Sequence, residues 1–211
     1  MARRSDHSRP ELHDLILAEG SRHLAEVGFA RFSAREVAKR IGYAVGTIYH
    51  VFGSYDRLML AINTRTFGLW ADHLEARLAA GGTDRIATLV EGYFSFARAH
   101  RNLWMAIYDH RLPPGETMPD SDASQRARLT AIIVAEIAAA LPGAPPATAE
   151  ALARSLIATV HGHCVFDLGG SFALLGEGDP LGAALARVRE ALAASTAPAP
   201  PAPPLRSPPA G

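Results

Sequence analysis

The sequence predicts an all-α protein of about nine helices, a compact three-helix N-terminal unit followed by a larger helical part. Three observations predict it. Apolar residues recur at three- and four-residue steps along almost the whole chain, as amphipathic helices require. Glycines, prolines and capping residues interrupt that pattern at helix-length intervals. No stretch shows the strict two-residue alternation of a half-buried strand, and no internal repeat is present.

The first helix is expected to start at Pro10, whose ring presets the first helical turn, after a flexible basic arm over residues 1–10. Leu12, Ile16, Gly20, Leu24 and Val27 give it one apolar face, and Gly28 ends it. Phe32 to Leu58 reads as two short helices joined by a tight turn and leading into a third. Ser33 is a good N-cap, and Glu36 three residues later makes a capping box. Val37, Ala38 and Ile41 form the buried face of that helix, which stops at Gly42. Beyond the turn, Ile48 and Phe52 are four apart and face inward together. Val45, Gly46, Thr47, Tyr49 and His50 remain on or beside the outward face. A short helix with a small, polar and aromatic outer face suits the DNA major groove.

Ser54 caps a long helix whose Leu58, Ile62, Phe67, Leu69, Trp70, Leu74 and Leu78 carry it to Gly81-Gly82. Amphipathic segments follow from Asp84 to His100 and from Asn102 to His110. Leu112 to Asp120 holds three prolines and a glycine and is read as a loop. Helix resumes from Ser121 to Leu141, then from Thr148 to about Gly169, and finally from Asp179 to Ser195. From Thr196 onward seven of sixteen residues are proline, which predicts a disordered or polyproline-like tail. The expected domains are therefore 1–53, 54–195 and a tail over 196–211.

Hydrophobic residues make up 48% of the 211, enough for a real core. No run approaches the roughly 18 apolar residues of a transmembrane helix, so no membrane partner is expected. The N-terminal stretch has arginines but no apolar segment of the kind a signal peptide needs. The single cysteine, Cys164, excludes an internal disulfide and suits a reducing cytoplasm. Net charge is zero, yet residues 1–57 hold nine basic against seven acidic groups, and Lys39 is the only lysine. Guanidinium is the better fork for phosphate and guanine. GC-rich coding explains the same bias without any reference to function.

The run GFARFSAREVAKRIGYAVGTIYHVFGSYDRL resembles the DNA-binding segment of TetR/AcrR-type transcriptional regulators. The matching parts are Gly28-Phe29, Ser33-x-Arg35-x-Val37-Ala38, Ile41-Gly42, Gly46-Thr47-Ile48-Tyr49 and Phe52-x-Ser54. The resemblance covers roughly residues 12–62. It implies a helix-turn-helix domain followed by a helical ligand-binding and dimerisation domain. It also implies a cytoplasmic regulator, most simply a repressor, whose partners are double-stranded operator DNA, a small-molecule effector and a second copy of the chain. Further along, Ala158-Thr159-Val160-His161-Gly162 with Leu168-Gly169-Gly170 resembles a His-Gly-containing helix in one subgroup of the family.

By that resemblance Arg35 meets a base or the backbone, against the plain reading of a solvated surface arginine. Thr47, Tyr49 and His50 are spaced for phosphate oxygens, although a tyrosine also packs readily with only its tip wet. Ser33 caps its helix and offers its backbone N–H to phosphate. Tyr55 stands where many relatives carry lysine, and Ala44 where a polar residue is usual. Both departures predict a shallow salt dependence. The last two long helices imply a dimer face that includes Leu156, Val160, Leu185 and Val188, unless these serve an intrachain core. Phe67, Trp70, Tyr93, Phe96, Trp104, Tyr108, His161 and Phe166 are the pocket candidates, each individually explicable as core. They predict a hydrophobic or aromatic effector without strong charge. His161-x-His163-Cys164 invites a metal reading, but residues two apart on a helix point about 200° from each other. No phosphate loop, Gly-x-Ser-x-Gly or paired-carboxylate motif is present, so neither a cofactor nor an enzyme is expected. The competing reading is a helical small-molecule-binding protein or enzyme without a role on DNA.

Overall fold

The computed structural model describes residues 7–196. Among these residues there are ten α-helices, one 3-10 turn at Phe29–Arg31 and no strand. The predicted tail lies outside the described residues except for Thr196, which ends the last helix. Of the predicted arm, residues 1–6 lie outside them too. The first helix, α1 (Arg9–Val27), begins before Pro10. Its cap is one the proline signal concealed: the Ser8 backbone N–H and hydroxyl both donate to the Glu11 carboxylate at 2.8 Å.

Two short helices follow, α2 (Ala34–Arg40) and α3 (Val45–Phe52), and then the long α4 (Tyr55–Ala79). Ser54 caps α4 by accepting the Arg57 N–H at 3.1 Å. The rest comprises α5 (Arg85–Ala99), α6 (Arg101–Asp109), α7 (Asp120–Ala140), α8 (Pro146–Leu168), α9 (Ser171–Leu174) and α10 (Pro180–Thr196). The four-residue α9 was not expected; it is too short for periodicity to register.

Two cores organise these helices. In the first, Ile16 and Leu24 of α1, Val37 of α2, Ile48 of α3 and Leu58 and Ile62 of α4 are all fully buried. Each such side chain is worth about 1.5–3 kcal/mol in apolar burial. Gly20 fits this core because a methyl group there would come within 2.8 Å of Ile62 Cδ1. The second core joins α4, α5 and α6 to α7, α8 and α10 through Trp70, Phe94, Phe96, Trp104, Ile137, Leu156 and Val188. Here Gly92 has the same role, since a methyl group would meet Leu74 Cδ2 at 2.6 Å.

Helix α6 belongs to both cores. Leu103 and Ala106 close the first from below, while Trp104 and Ile107 enter the second. Hydrogen bonds fasten it on the N-terminal side. Asn102 donates to the Ala25 carbonyl at 2.7 Å, and Asn63 of α4 donates to the Ala106 carbonyl at 3.2 Å. His110 Nε2 lies 3.1 Å from Asp56 Oδ1. In the following loop Glu116 pairs with Arg57 at 2.9 Å.

Candidate nucleic-acid interface and inner polar cluster

Helices α2 and α3 meet across a turn that Gly42 makes with φ 79°, a value costly for any side chain with a Cβ. Tyr43 N–H donates back to the Ala38 carbonyl at 2.9 Å and closes the turn. Ser33 caps α2 through the Glu36 N–H at 3.3 Å. The reciprocal half of the capping box does not form, because the Glu36 carboxylate faces Arg40 and Lys39 instead. Ala44 is the N-cap of α3 and contributes no side-chain bond.

The outward edge of this pair carries Arg35, Gly46, Tyr49 and His50, all exposed. Thr47 is half-buried. Val45 is half-buried too and packs partly onto the N-terminal core, beside that edge. Tyr55 is also only half-open, its ring 5.9 Å from that of Phe32. Burial holds its phenol proton more firmly than usual. Arg35 has no ion pair or hydrogen bond within the described residues, whereas Arg40 is spent on Glu19, Glu26 and Glu36. A methyl group at Gly46 would meet no atom within 4 Å, so packing within the chain does not require glycine there.

Beneath the interface lie two residues that the apolar pattern did not anticipate. Glu19 is 4% exposed and receives Arg22 and Arg40. His23 is equally buried, and both its ring nitrogens lack a hydrogen-bond partner. A capping or periodicity signal cannot reveal such groups, because each reads as a polar interruption of a helix face.

In the second core, the Tyr93 hydroxyl lies 3.0 Å from His161 Nδ1 and 3.3 Å from the Tyr108 hydroxyl. Trp104 stands edge-on to both tyrosines and 5.0 Å from the His161 ring. Burial makes the His161 ring harder to protonate and holds both phenols neutral. Trp70 stacks on Phe96 at 5.2 Å and meets Tyr93 edge-on at 4.7 Å. Both indole N–H groups are buried without a hydrogen-bond acceptor. The Trp104 N–H lies beside the Tyr93 hydroxyl without reaching hydrogen-bond geometry. An unmet buried donor costs on the order of 1–3 kcal/mol. Next to this cluster is a cavity of about 40 Å³, lined by Leu74, Val90, Tyr93, Ile133, Ile157, Val160 and their aliphatic neighbours.

Comparison with known proteins settles the class. Residues 16–62 match the family model for bacterial regulatory proteins of the tetR family. Residues 86–199, more than half of the chain, match the tetracyclin repressor-like C-terminal domain. The chain belongs to the TetR family. No curated protein matches it. Among solved structures it is similar to a protein of unknown function from Rhodococcus sp. RHA1, with 22% identity and a TM-score of 0.69 over 92% of this chain and 98% of that one. It is also similar to the multidrug binding protein EbrR complexed with imidazole, with 18% identity and a TM-score of 0.59 over 88% and 96% of the two chains. A third is the fatty acid degradation regulator FadR from Bacillus halodurans, at 16% identity and a TM-score of 0.55 over 85% and 97%. These likenesses establish the fold.

Within this TetR-family regulator, the pocket candidates divide. Tyr93, Trp104, Tyr108 and His161 come together as one cluster, and Trp70 and Phe96 form a closed stack beside it. Phe67 is half-buried against Trp70 and lies under the Arg126 guanidinium, 5.0 Å from the ring centroid. Phe166 is a correction: it is 45% exposed and packs on Phe172 of α9, away from the cluster. Only Tyr93 of the eight reaches the cavity, whose other walls are aliphatic. The dimer candidates need a correction as well. Leu156, Val160 and Val188 are buried in the chain's own core and have no surface to offer a partner, while Leu185 is half-buried. The open face of α8 is instead Ala151, Ser155, Ala158, Gly162 and Phe166. His163 Nδ1 donates to the Thr159 carbonyl at 2.8 Å, on a different side of α8 from the bond His161 makes to Tyr93. No group of three or more potential metal ligands exists among the described residues, and none of their helices is long and apolar enough to cross a membrane.

Proposed function

We propose that this TetR-family protein is a homodimeric repressor that leaves a near-palindromic operator when a small, uncharged hydrophobic molecule enters its second core. The observation that carries the DNA half is the outward edge of α2 and α3. It combines one guanidinium with no partner of its own, Arg35, with an unobstructed backbone at Gly46 and two exposed polar rings, Tyr49 and His50. Arg35 is suited to a guanine edge or a phosphate, and Tyr49 and His50 to phosphate oxygens that fix register. The Ser33 and Thr47 backbone and hydroxyl groups fit the same strand.

The effector half rests on the inner cluster and on α6. Trp104 and Tyr108 project from α6 into the cluster, while Leu103, Ala106, Asn102 and His110 hold α1 and the start of α4. A ligand that moves Trp104 therefore moves a helix fastened to the DNA-binding unit. Any such coupling is reciprocal: DNA must weaken the ligand by the factor by which the ligand weakens DNA. Structural relatives described as a multidrug binding protein and a fatty acid degradation regulator support an apolar effector. The dimer would form through the open faces of α8 and α10.

Selection of duplexes from a random pool by the purified protein tests this reading. The expected result is an inverted repeat with half-sites one helical turn apart or a multiple of it. A pool that shows no enriched sequence would contradict it.

A further inference from the structure

We infer that Arg3 and Arg4 make a second DNA contact, in the minor groove of an A·T-rich flank beside each half-site, and that the pairing of His7 with Tyr43 positions them. This goes beyond the operator reading above and rests on it.

The anchor is the first reason. His7 Nδ1 lies 2.8 Å from the Tyr43 hydroxyl, and Tyr43 stands in the turn just before α3. Further along α1, the His13 ring stacks on that of Phe52, the last residue of α3, with centroids 4.7 Å apart. The start of α1 is thus held at both ends of α3, and His7 belongs to the N-terminal end. That end of a recognition helix is the one whose side chains meet base edges. Ser8, the cap of α1, has φ −60° and ψ 161°, so the chain enters the helix from an extended residue at this point.

The chemistry of the preceding residues is the second reason. Residues 1–6, which lie outside the described residues, read MARRSD. Arg3 and Arg4 are adjacent, and their neighbours Ala2 and Ser5 are small enough to let a backbone approach a groove wall. Asp6 is the one acid among them and sits next to the anchor, so the positive charge lies farther out. A guanidinium is more weakly hydrated than an ammonium and loses less on entering a narrow groove. Narrow A·T-rich minor grooves concentrate negative potential and attract arginine.

Reach is the third. Six extended residues span at most about 20 Å. That is enough to cross one phosphate backbone from the major groove to the minor groove beside it. Arg9, in the first turn of α1, is exposed and has no ion pair or hydrogen bond among the described residues, which leaves it for the strand in between.

The test is fluorescence anisotropy of the full-length protein on the selected operator, embedded in either A·T-rich or G·C-rich flanks. The native protein should bind the A·T-flanked duplex about fivefold tighter or more. The double variant Arg3→Ala/Arg4→Ala should lose that preference and about tenfold in affinity on the A·T-flanked duplex, with an unchanged thermal midpoint. His7→Ala keeps both arginines, yet it should lose the preference, while His7→Gln, which retains a hydrogen-bonding group, should restore it. A native protein without flank preference would overturn the inference, as would a double variant that retains it. An equal loss on both flanks would mean phosphate contact alone and would overturn it too. A native preference in His7→Ala would remove the anchor. If duplex selection enriches no operator, the reading this rests on fails and takes the inference with it; an operator bound without flank preference defeats the inference alone.

Discussion

His23 shows how much a single side chain can hide inside a regular helix. It is buried with neither ring nitrogen bonded, so folding favours the neutral ring, and its pKa lies below the ordinary 6.5 chiefly because of burial and then because of Arg40. Glu26, Glu36 and Glu19 oppose that shift without reversing it. The sign follows directly. Above pH 6.5 the ring is neutral folded and unfolded, and stability is intact. Below 6.5 the unfolded chain takes a proton the folded one refuses, so stability falls until the lowered folded pKa is reached. Urea midpoints at pH 7.5, 6.5 and 5.5 should therefore decline in the native protein, and His23→Leu should flatten that part of the decline. A variant with the same slope as the native protein would remove His23 from this role. Gly46 poses the opposite case. Glycine within a helix costs up to about 1 kcal/mol relative to alanine, and no neighbouring atom requires it. Gly46→Leu should leave the thermal midpoint unchanged or raised while operator binding measured by anisotropy falls at least tenfold. The outward placement of Gly46 was legible in the sequence, whereas the burial of His23 was not, because periodicity reports on apolar residues alone.

At the scale of elements, sequence and structure agree where a helix has one apolar face and part where it has more. Helices α1 to α4 were placed within a few residues by their caps and by Ile16, Val37, Ile48 and Leu58, all of which are buried. Helix α8 is apolar or small almost all round, so the pattern could not tell its inner side from its outer. Of the two readings the sequence leaves open for Leu156 and Val160, a dimer face or an intrachain core, the structure has the core, and the outer side is Ala151, Ser155, Ala158 and Gly162, ending in Phe166. The distinction gives a paired prediction. Ala158→Arg should leave the circular dichroism spectrum intact and shift sedimentation from dimer to monomer, whereas Leu156→Arg should prevent folding because it buries an unpaired charge. A folded, fully dimeric Ala158→Arg protein would remove this face of α8 from the interface. The inner cluster was only half legible for a related reason. Aromatic composition identified Tyr93, Trp104, Tyr108 and His161, but the aliphatic cavity beside them arises from Ile133, Ile157 and Val160 on separate helices, which no local pattern brings together.

For the whole molecule, the economy of free positive charge sets how DNA is held. Arg40 is consumed by α1 carboxylates, and Tyr55 replaces a lysine with a half-buried phenol. Among the described residues of the N-terminal unit, Arg9, Arg31, Arg35 and Lys39 remain exposed, with Arg31 bonded only to the Val27 carbonyl and Lys39 3.9 Å from Glu36. A dimer that neutralises four to six phosphates should show a slope of log affinity against log salt of about −4 to −5. In the proposed dimer, specific binding would depend on two copies of Arg35 set at a fixed spacing. The decisive measurement is the affinity of Arg35→Ala relative to the native protein on the selected operator duplex. A loss of about 1–3 kcal/mol, roughly 5- to 150-fold, with an unchanged sedimentation coefficient and thermal midpoint is predicted. Undiminished operator affinity in a folded, dimeric Arg35→Ala protein would contradict it.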